Sequence, residues 1–137
     1  MNKAIICDLD YTLSIPKDRD IYDFNNCLND KINPFIYNIL SNISTSSTSL
    51  MIVTGRELIF KDITVQFLKQ NSIDYAKIYM RSNGDSRSNE IVKKEIFLNE
   101  IKPIWSVLFA IDDNSNVVKM YNEELGLNCL LVKNTQK

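Results

Sequence analysis

Asp8 and Asp10 stand two residues apart at the end of an apolar run, Ala4-Ile5-Ile6-Cys7, with Thr12 just beyond them. In an extended chain residues i and i+2 face one side, so both carboxylates point the same way. Like charges so placed repel each other and call for a cation or a shared proton. A DxDxT pattern (Asp8-Leu9-Asp10-Tyr11-Thr12) where a buried strand stops is therefore costly. The chemistry it suits is a nucleophile beside an acid/base in Mg²⁺-dependent phosphoryl transfer. A phosphate ester resists attack because its oxyanions repel the nucleophile, so a catalyst must neutralise charge and hold phosphorus in line. Mg²⁺ held by Asp8 with one or both of Asp112 and Asp113 would supply that charge. Asp8 would attack phosphorus to give an acyl-phosphate. Asp10 would protonate the leaving oxygen and later deprotonate water. The Thr54 hydroxyl and amides near Gly55 would bind a phosphoryl oxygen, and Lys93, better placed than Lys94, would complete the cage.

These residues need a frame that gathers them. Short apolar runs predict strands at 3–9, 50–53, 76–80, 107–111 and 129–132. Helical spacing predicts a helix from Asn33-Pro34 carrying Phe35, Ile36, Ile39, Leu40 and Ile43. A second, at 58–70, carries Ile59, Ile63, Phe67 and Leu68, and a third, at 89–101, carries Ile91, Val92, Ile96, Phe97 and Ile101. A fourth places Val117, Val118, Tyr121 and Leu125 on one face, with Asn114 or Ser115 as cap and Gly126 as stop. Residues 11–30 lack periodicity and read as an irregular excursion; the Ser/Thr run at 44–49 and residues 81–88 read as loops. Strand and helix alternate, which predicts an α/β fold: a Rossmann-like, parallel five-stranded sheet with helices on both faces, in a single domain over 1–137. Ligands of such sheets bind at the carboxyl ends of the strands, and Asp8/Asp10, Thr54-Gly55-Arg56 and Asp112-Asp113 each stand where an apolar run stops.

Absences narrow the chemistry. The chain has no histidine, so a Ser-His-Asp triad, a phosphohistidine and a His-ligated metal are excluded. No cysteine is followed six positions later by arginine, which removes a cysteine phosphatase loop; the three cysteines read as reduced, buried thiols of a cytoplasmic protein. No GxxxxGK[ST] or GxGxxG occurs. The net charge of −1 provides no global field for nucleic acid, so such contact must be local. Neither a signal peptide nor a membrane-spanning run is expected.

Taken together, DLDYTL with Arg19 and Tyr22-Asp23, INP at 32–34, VTGR at 53–56, GDSR at 84–87, VKKEIF at 92–97 and AIDDN…VVKM from 110 to 120 resemble the haloacid dehalogenase superfamily of phosphotransferases. Within it, the sequence is similar to the 3′-phosphatase domain of T-even-phage-type polynucleotide kinase-phosphatases. That resemblance implies a nucleophile at Asp8, an acid/base at Asp10 that also offers its backbone carbonyl to Mg²⁺, metal carboxylates at Asp112 and Asp113, and a phosphate lysine at Lys93. Thr12, Arg19, Gly55, Arg56 and Arg87 fall on the substrate side, and Arg81 and Lys17 join the arginines as contacts to backbone phosphates. Tyr11 replaces the glycine usual before Thr, and Asn89 replaces an aspartate that would support the metal or the lysine. The segments 13–32 and 81–92 are too short for a cap domain, so the site should be open and suit a polymer end. The expected activity is removal of a 3′-phosphate from DNA or RNA ends in repair, with no 5′-kinase activity; oligomeric state stays open. Two other readings share the motifs: a small-molecule phosphatase closed by a neighbouring subunit, and a catalytically silent binding module.

Overall fold

Cys7, at the end of β1 (Asn2–Cys7), lies between Ile52 of β4 (Thr48–Glu57) and Ile111 of β6 (Trp105–Asp112); β4 runs on to Glu57, so Thr54-Gly55-Arg56, expected just past a strand end, still belong to the strand. The computed structural model describes residues 1–43 and 47–133. The other strands are β2 (Ser14–Ile15), β3 (Lys31–Ile32), β5 (Lys77–Arg81) and β7 (Cys129–Leu131). The helices are α1 (Pro34–Ile43), α2 (Lys61–Gln70), α3 (Asn89–Ile96) and α4 (Ser115–Lys119). The main sheet has five strands in the order β5-β4-β1-β6-β7, all parallel.

β1 occupies the centre because both its faces are apolar. Ala4 and Ile6 enter one core with Val92, Ile96, Val117 and Tyr121 from α3, α4 and the turn after α4. Ile5 and Cys7 enter the other with Ile36, Leu40, Phe67 and Leu68 from α1 and α2. A continuous apolar run is what a strand covered on both faces requires, and each buried aliphatic side chain contributes roughly 1.5–3 kcal/mol. Parallel pairing in register (Ile6 opposite Met51 and Ala110) brings all three carboxyl ends to one edge. The caps follow the sequence. Asn33 Oδ1 accepts from Phe35 N–H (3.1 Å) and Asn114 Oδ1 from Asn116 and Val117 N–H (2.9 and 3.1 Å). Gly126, at φ +62°, ends the last helical segment.

Several elements differ from the sequence reading. The excursion at 11–30 contains order: β2 pairs antiparallel with β3, and Phe24–Asn29 forms 3₁₀ turns. Two-residue strands carry no periodicity to detect. Thr48 and Ser49 belong to β4, while residues 44–46 of the Ser/Thr run lie outside the described residues. The helix expected from 58 starts with a 3₁₀ turn, Leu58–Phe60, in which Ile59 is exposed. Phe35, Ile39 and Ile91, placed on apolar faces by spacing, are also exposed. Phe35, Ile59 and Ile91 stand in the opening turns of their helical segments, whereas Ile39 lies mid-helix, where Ile36 and Leu40 alone make the buried stripe of α1. The helix expected over 89–101 loosens into a π-helical turn at Phe97–Ile101, and the last helix does the same at Met120–Glu124. The segments on either side of the sheet end hold the small ribbon, the 3₁₀ turns and the loop 82–88, so among the described residues no cap domain covers the edge.

Candidate functional site

Asp8 is the first residue past β1, and its amide donates to Ile111 O (3.0 Å), which ties it to β6. Asp112 ends β6, and Asp8, Asp112 and Asp113 offer carboxylate oxygens within 4.8 Å of one another. α3 brings Lys93 beneath them. Its ammonium donates to Asp8 Oδ1 (2.9 Å) and Asp112 Oδ2 (2.6 Å), and the residue is 2% exposed. The Thr12 hydroxyl donates to Asp8 Oδ2 (2.9 Å) and lies 3.4 Å from Asp113 Oδ1. Both oxygens of Asp8 are thus fixed.

The charges are unbalanced. Burial alone would lower the Lys93 pKa, but Asp112 and Asp8 override it and hold the ammonium well above its ordinary value. Burial, and then the charge of Asp8, push the Asp112 carboxyl up to about 7 despite the ammonium beside it. One buried cation is too little for three crowded carboxylates. An all-oxygen set with excess negative charge fits a hard divalent cation such as Mg²⁺.

Asp10 belongs to a second network. Its Oδ1 accepts from Arg19 Nη2 and Arg56 Nη2 (both 2.8 Å), and its Oδ2 accepts from Arg56 Nε (2.9 Å). Asp30, at the end of the 3₁₀ turns, grips the same arginines from behind. Arg19 Nη2 donates to it at 2.7 Å and Arg56 Nη2 lies at 3.8 Å. Both guanidiniums are sealed from solvent. Phe24 lies against them, with the guanidinium carbons of Arg56 and Arg19 at 4.9 and 5.5 Å from its ring centre, and Thr64 Oγ1 accepts from Arg56 Nη1 (3.0 Å). Arg19 and Arg56, expected as open substrate-side cations, are turned onto Asp10 and Asp30.

The remaining expected residues sit around a cavity of about 540 Å³ at this edge. Thr54 is buried, and its Oγ1 accepts from Arg56 N–H (3.2 Å). Gly55 leaves room for the Asn89 side chain, whose amide oxygen a Cβ there would displace. Asn89 accepts from Arg81 Nη2 (2.6 Å), whose Nε also donates to Gly55 O (2.8 Å), so Arg81 braces the wall. Arg87 is half exposed on the rim, paired with Asp85 and Glu95. Lys17 lies against a different hollow, with Asp18 and Lys31. Tyr11 lines the cavity at φ 62°, a left-handed conformation that explains why glycine is usual at this place in the pattern. Sequence reading passed over Asp30 and Phe24, because nothing in the spacing of an aperiodic segment marks them.

Comparison with known proteins agrees with this geometry. Residues 2–136 match the family described as the polynucleotide kinase PNKP phosphatase domain. A protein of Autographa californica nuclear polyhedrosis virus, named as a bifunctional polynucleotide kinase/RNA ligase, is 27% identical over 124 residues, covering 88% of this chain and 18% of its own length. A chain in the Pnkp1/Rnl/Hen1 RNA repair complex is 37% identical, with TM-score 0.91 over 96% of this chain and 42% of that one. A chain in a second structure of the Pnkp1/Rnl/Hen1 complex gives 37% identity and TM-score 0.92 over 96% of this chain and 46% of that one. The chain therefore spans less than half of the solved chains it matches and about a fifth of the viral protein. No helix among the described residues is long and apolar enough to cross a membrane. With the match running the length of the five-stranded sheet and its strand-end carboxylates, the chain belongs to the phosphatase-domain family of polynucleotide kinases, phosphatases of the haloacid dehalogenase type.

Proposed function

We propose that the protein is a Mg²⁺-dependent phosphatase that removes 3′-phosphates from DNA or RNA ends during repair, through an aspartyl-phosphate on Asp8. The observation that carries this reading is the fixing of Asp8 by Lys93 and Thr12 at an uncapped cavity open enough for a strand end. A solved relative that belongs to an RNA repair complex supports the substrate class. Three buried, unpaired cysteines suit a reducing, cytoplasmic setting.

Asp8, Asp112, Asp113 and the backbone carbonyl of Asp10 would hold Mg²⁺. When bound, the ion supplies positive charge to the phosphoryl oxygens and relieves the crowding of the carboxylates. Lys93 stands ready to neutralise a phosphoryl oxygen as well as Asp8, and Thr54 and the Gly55 amide take another. An Asp8 oxygen forms a bond to phosphorus while the ester P–O bond breaks, and the leaving ribose oxygen takes a proton from Asp10. Asp10 then removes a proton from water, whose oxygen displaces Asp8 and releases phosphate. Arg19 and Arg56 hold Asp10 in place for both proton transfers, and Thr12 orients the nucleophile. Arg87 remains the rim cation for a backbone phosphate.

The test is phosphate release from 3′-phosphorylated DNA and RNA oligonucleotides, with and without Mg²⁺, beside nucleotide and sugar phosphates. Strand ends should be the best substrates, and Asp8→Asn should abolish release. A preference for a free nucleotide or sugar phosphate would move the assignment to a small-molecule phosphatase. Near-normal activity of Asp8→Asn would refute the covalent route.

A further inference from the structure

The cavity beside Asp8 has two unlike walls. On one side stand Arg81, Arg87 and Asn89, with hydroxyls between them. Elsewhere in the lining stand Ile21 and Tyr22, carried by the segment that joins β2 to the 3₁₀ turns, and Phe24, which opens those turns. Tyr22 is 81% exposed, although it lines the same cavity as the nucleophile. A single exposed aromatic residue is ordinary. Tyr22 differs because it is the outer member of an aromatic series built into the fold. It meets Phe24 edge to face, with ring centres 6.4 Å apart at 89°, and Phe24 meets Phe60 at 5.2 Å and 66°. Phe24 in turn covers the two arginines that hold Asp10. With this one ring contact, Tyr22 keeps most of its surface open beside the cavity that it lines.

We infer that Tyr22, backed by Phe24 and flanked by Ile21, is a stacking ledge for the nucleobase of the terminal nucleotide whose phosphate is removed. This rests on the polynucleotide reading above and sharpens it. A nucleotide presents a flat apolar base on one side of its sugar and anionic phosphates on the other, which suits a cavity lined by both aromatic side chains and arginines. A sugar phosphate has no use for a π surface. Stacking on an aromatic side chain tolerates all four bases, so the ledge would grip ends without choosing sequence. It would also seat the ribose at a constant height above the aromatic series, with its 3′ oxygen near Asp10.

Two measurements test this. The first compares a 3′-phosphorylated trinucleotide with the same strand lacking the terminal base. Wild-type KM should be lower for the base-bearing strand by roughly 5- to 100-fold. Tyr22→Ala should bring that ratio close to one, and Tyr22→Phe should restore it. The second uses the Asp8→Asn protein, with 2-aminopurine as the terminal base. Binding should quench its fluorescence, and adding Tyr22→Ala should remove the quenching. Because the second needs no turnover, the two readings fail separately. Quenching without hydrolysis by wild type would overturn the phosphatase reading alone. Hydrolysis with equal KM for both strands, or quenching that survives Tyr22→Ala, would overturn the ledge alone.

Discussion

Arg56 clasps both oxygens of Asp10, through Nε at 2.9 Å and Nη2 at 2.8 Å, across 46 residues of sequence. A planar fork meeting a carboxylate in this way fixes the direction of the acid as well as its position. Lysine offers one point charge and cannot do both. Arg56→Lys should therefore keep KM and lower kcat by about 10- to 100-fold, a split read from steady-state kinetics. Arg56→Ala leaves the buried Asp30 and the partly buried Asp10 facing one arginine, and its cost should be about 3–5 kcal/mol in urea unfolding. Equal kinetics for Arg56 and Arg56→Lys would remove the orienting role.

The carboxylate cluster predicts a pH-dependent response to magnesium. Asp112, pushed from an ordinary 3.8 up to about 7, lets the folded protein keep a proton that the unfolded chain gives up. That contribution to stability is complete below the unfolded value and is lost as pH rises through about 7. Mg²⁺ competes with that proton and relieves the same repulsion. The rise in Tm on adding Mg²⁺ should be larger at about pH 8 than at about pH 5.5. A Tm indifferent to Mg²⁺ at both pH values would count against a preformed cation site.

Tyr11 holds a left-handed backbone conformation that costs a β-carbon residue roughly 1–2 kcal/mol. Glycine avoids that strain and loses about 0.5–1 kcal/mol to chain entropy. Tyr11→Gly should thus leave stability unchanged or raise it by up to about 1 kcal/mol, measured by thermal or urea unfolding. A loss beyond about 2 kcal/mol would mean that the phenol ring holds the loop.

The three thiols should be inert in the folded protein. Burial raises Cys7 and Cys27, and burial followed by the charge of Asp112 pushes Cys129 up to about 12. Thiolate is the reactive form, so iodoacetamide at neutral pH should label none of them until denaturant is added, when all three react. Mass spectrometry reads the count, and rapid labelling of native protein would contradict the burial.

Much of the candidate site was legible in the sequence, because strand ends are easy to find. Asp8, Thr54 and Asp112 each follow an unbroken apolar run, and parallel pairing brings such ends together without further information. Lys93 was legible from its place in the first turns of a helix. The arginine network was not. Arg19 and Asp30 lie in a segment without periodicity, and their partnership depends on a two-residue ribbon and a short 3₁₀ stretch, both too short to leave a pattern in the sequence. Reading arginines as outward-facing defaults to solvent, whereas carboxylates at Asp10 and Asp30 draw both inward. The π-helical turns at Phe97–Ile101 and Met120–Glu124 escaped for another reason, since an apolar spacing that fits 3.6 residues per turn tolerates one wider turn.

β1 is hydrogen-bonded on both edges, by β4 and by β6, and Asp8 is the next residue along. Amides of such a strand are protected on both sides, whereas Tyr22 stands outside the sheet and is 81% exposed. Asp8, the proposed nucleophile, is therefore mounted on the innermost strand, and Tyr22 at the periphery of the same cavity. A rotation of that one side chain can follow a docking strand end without moving Asp8.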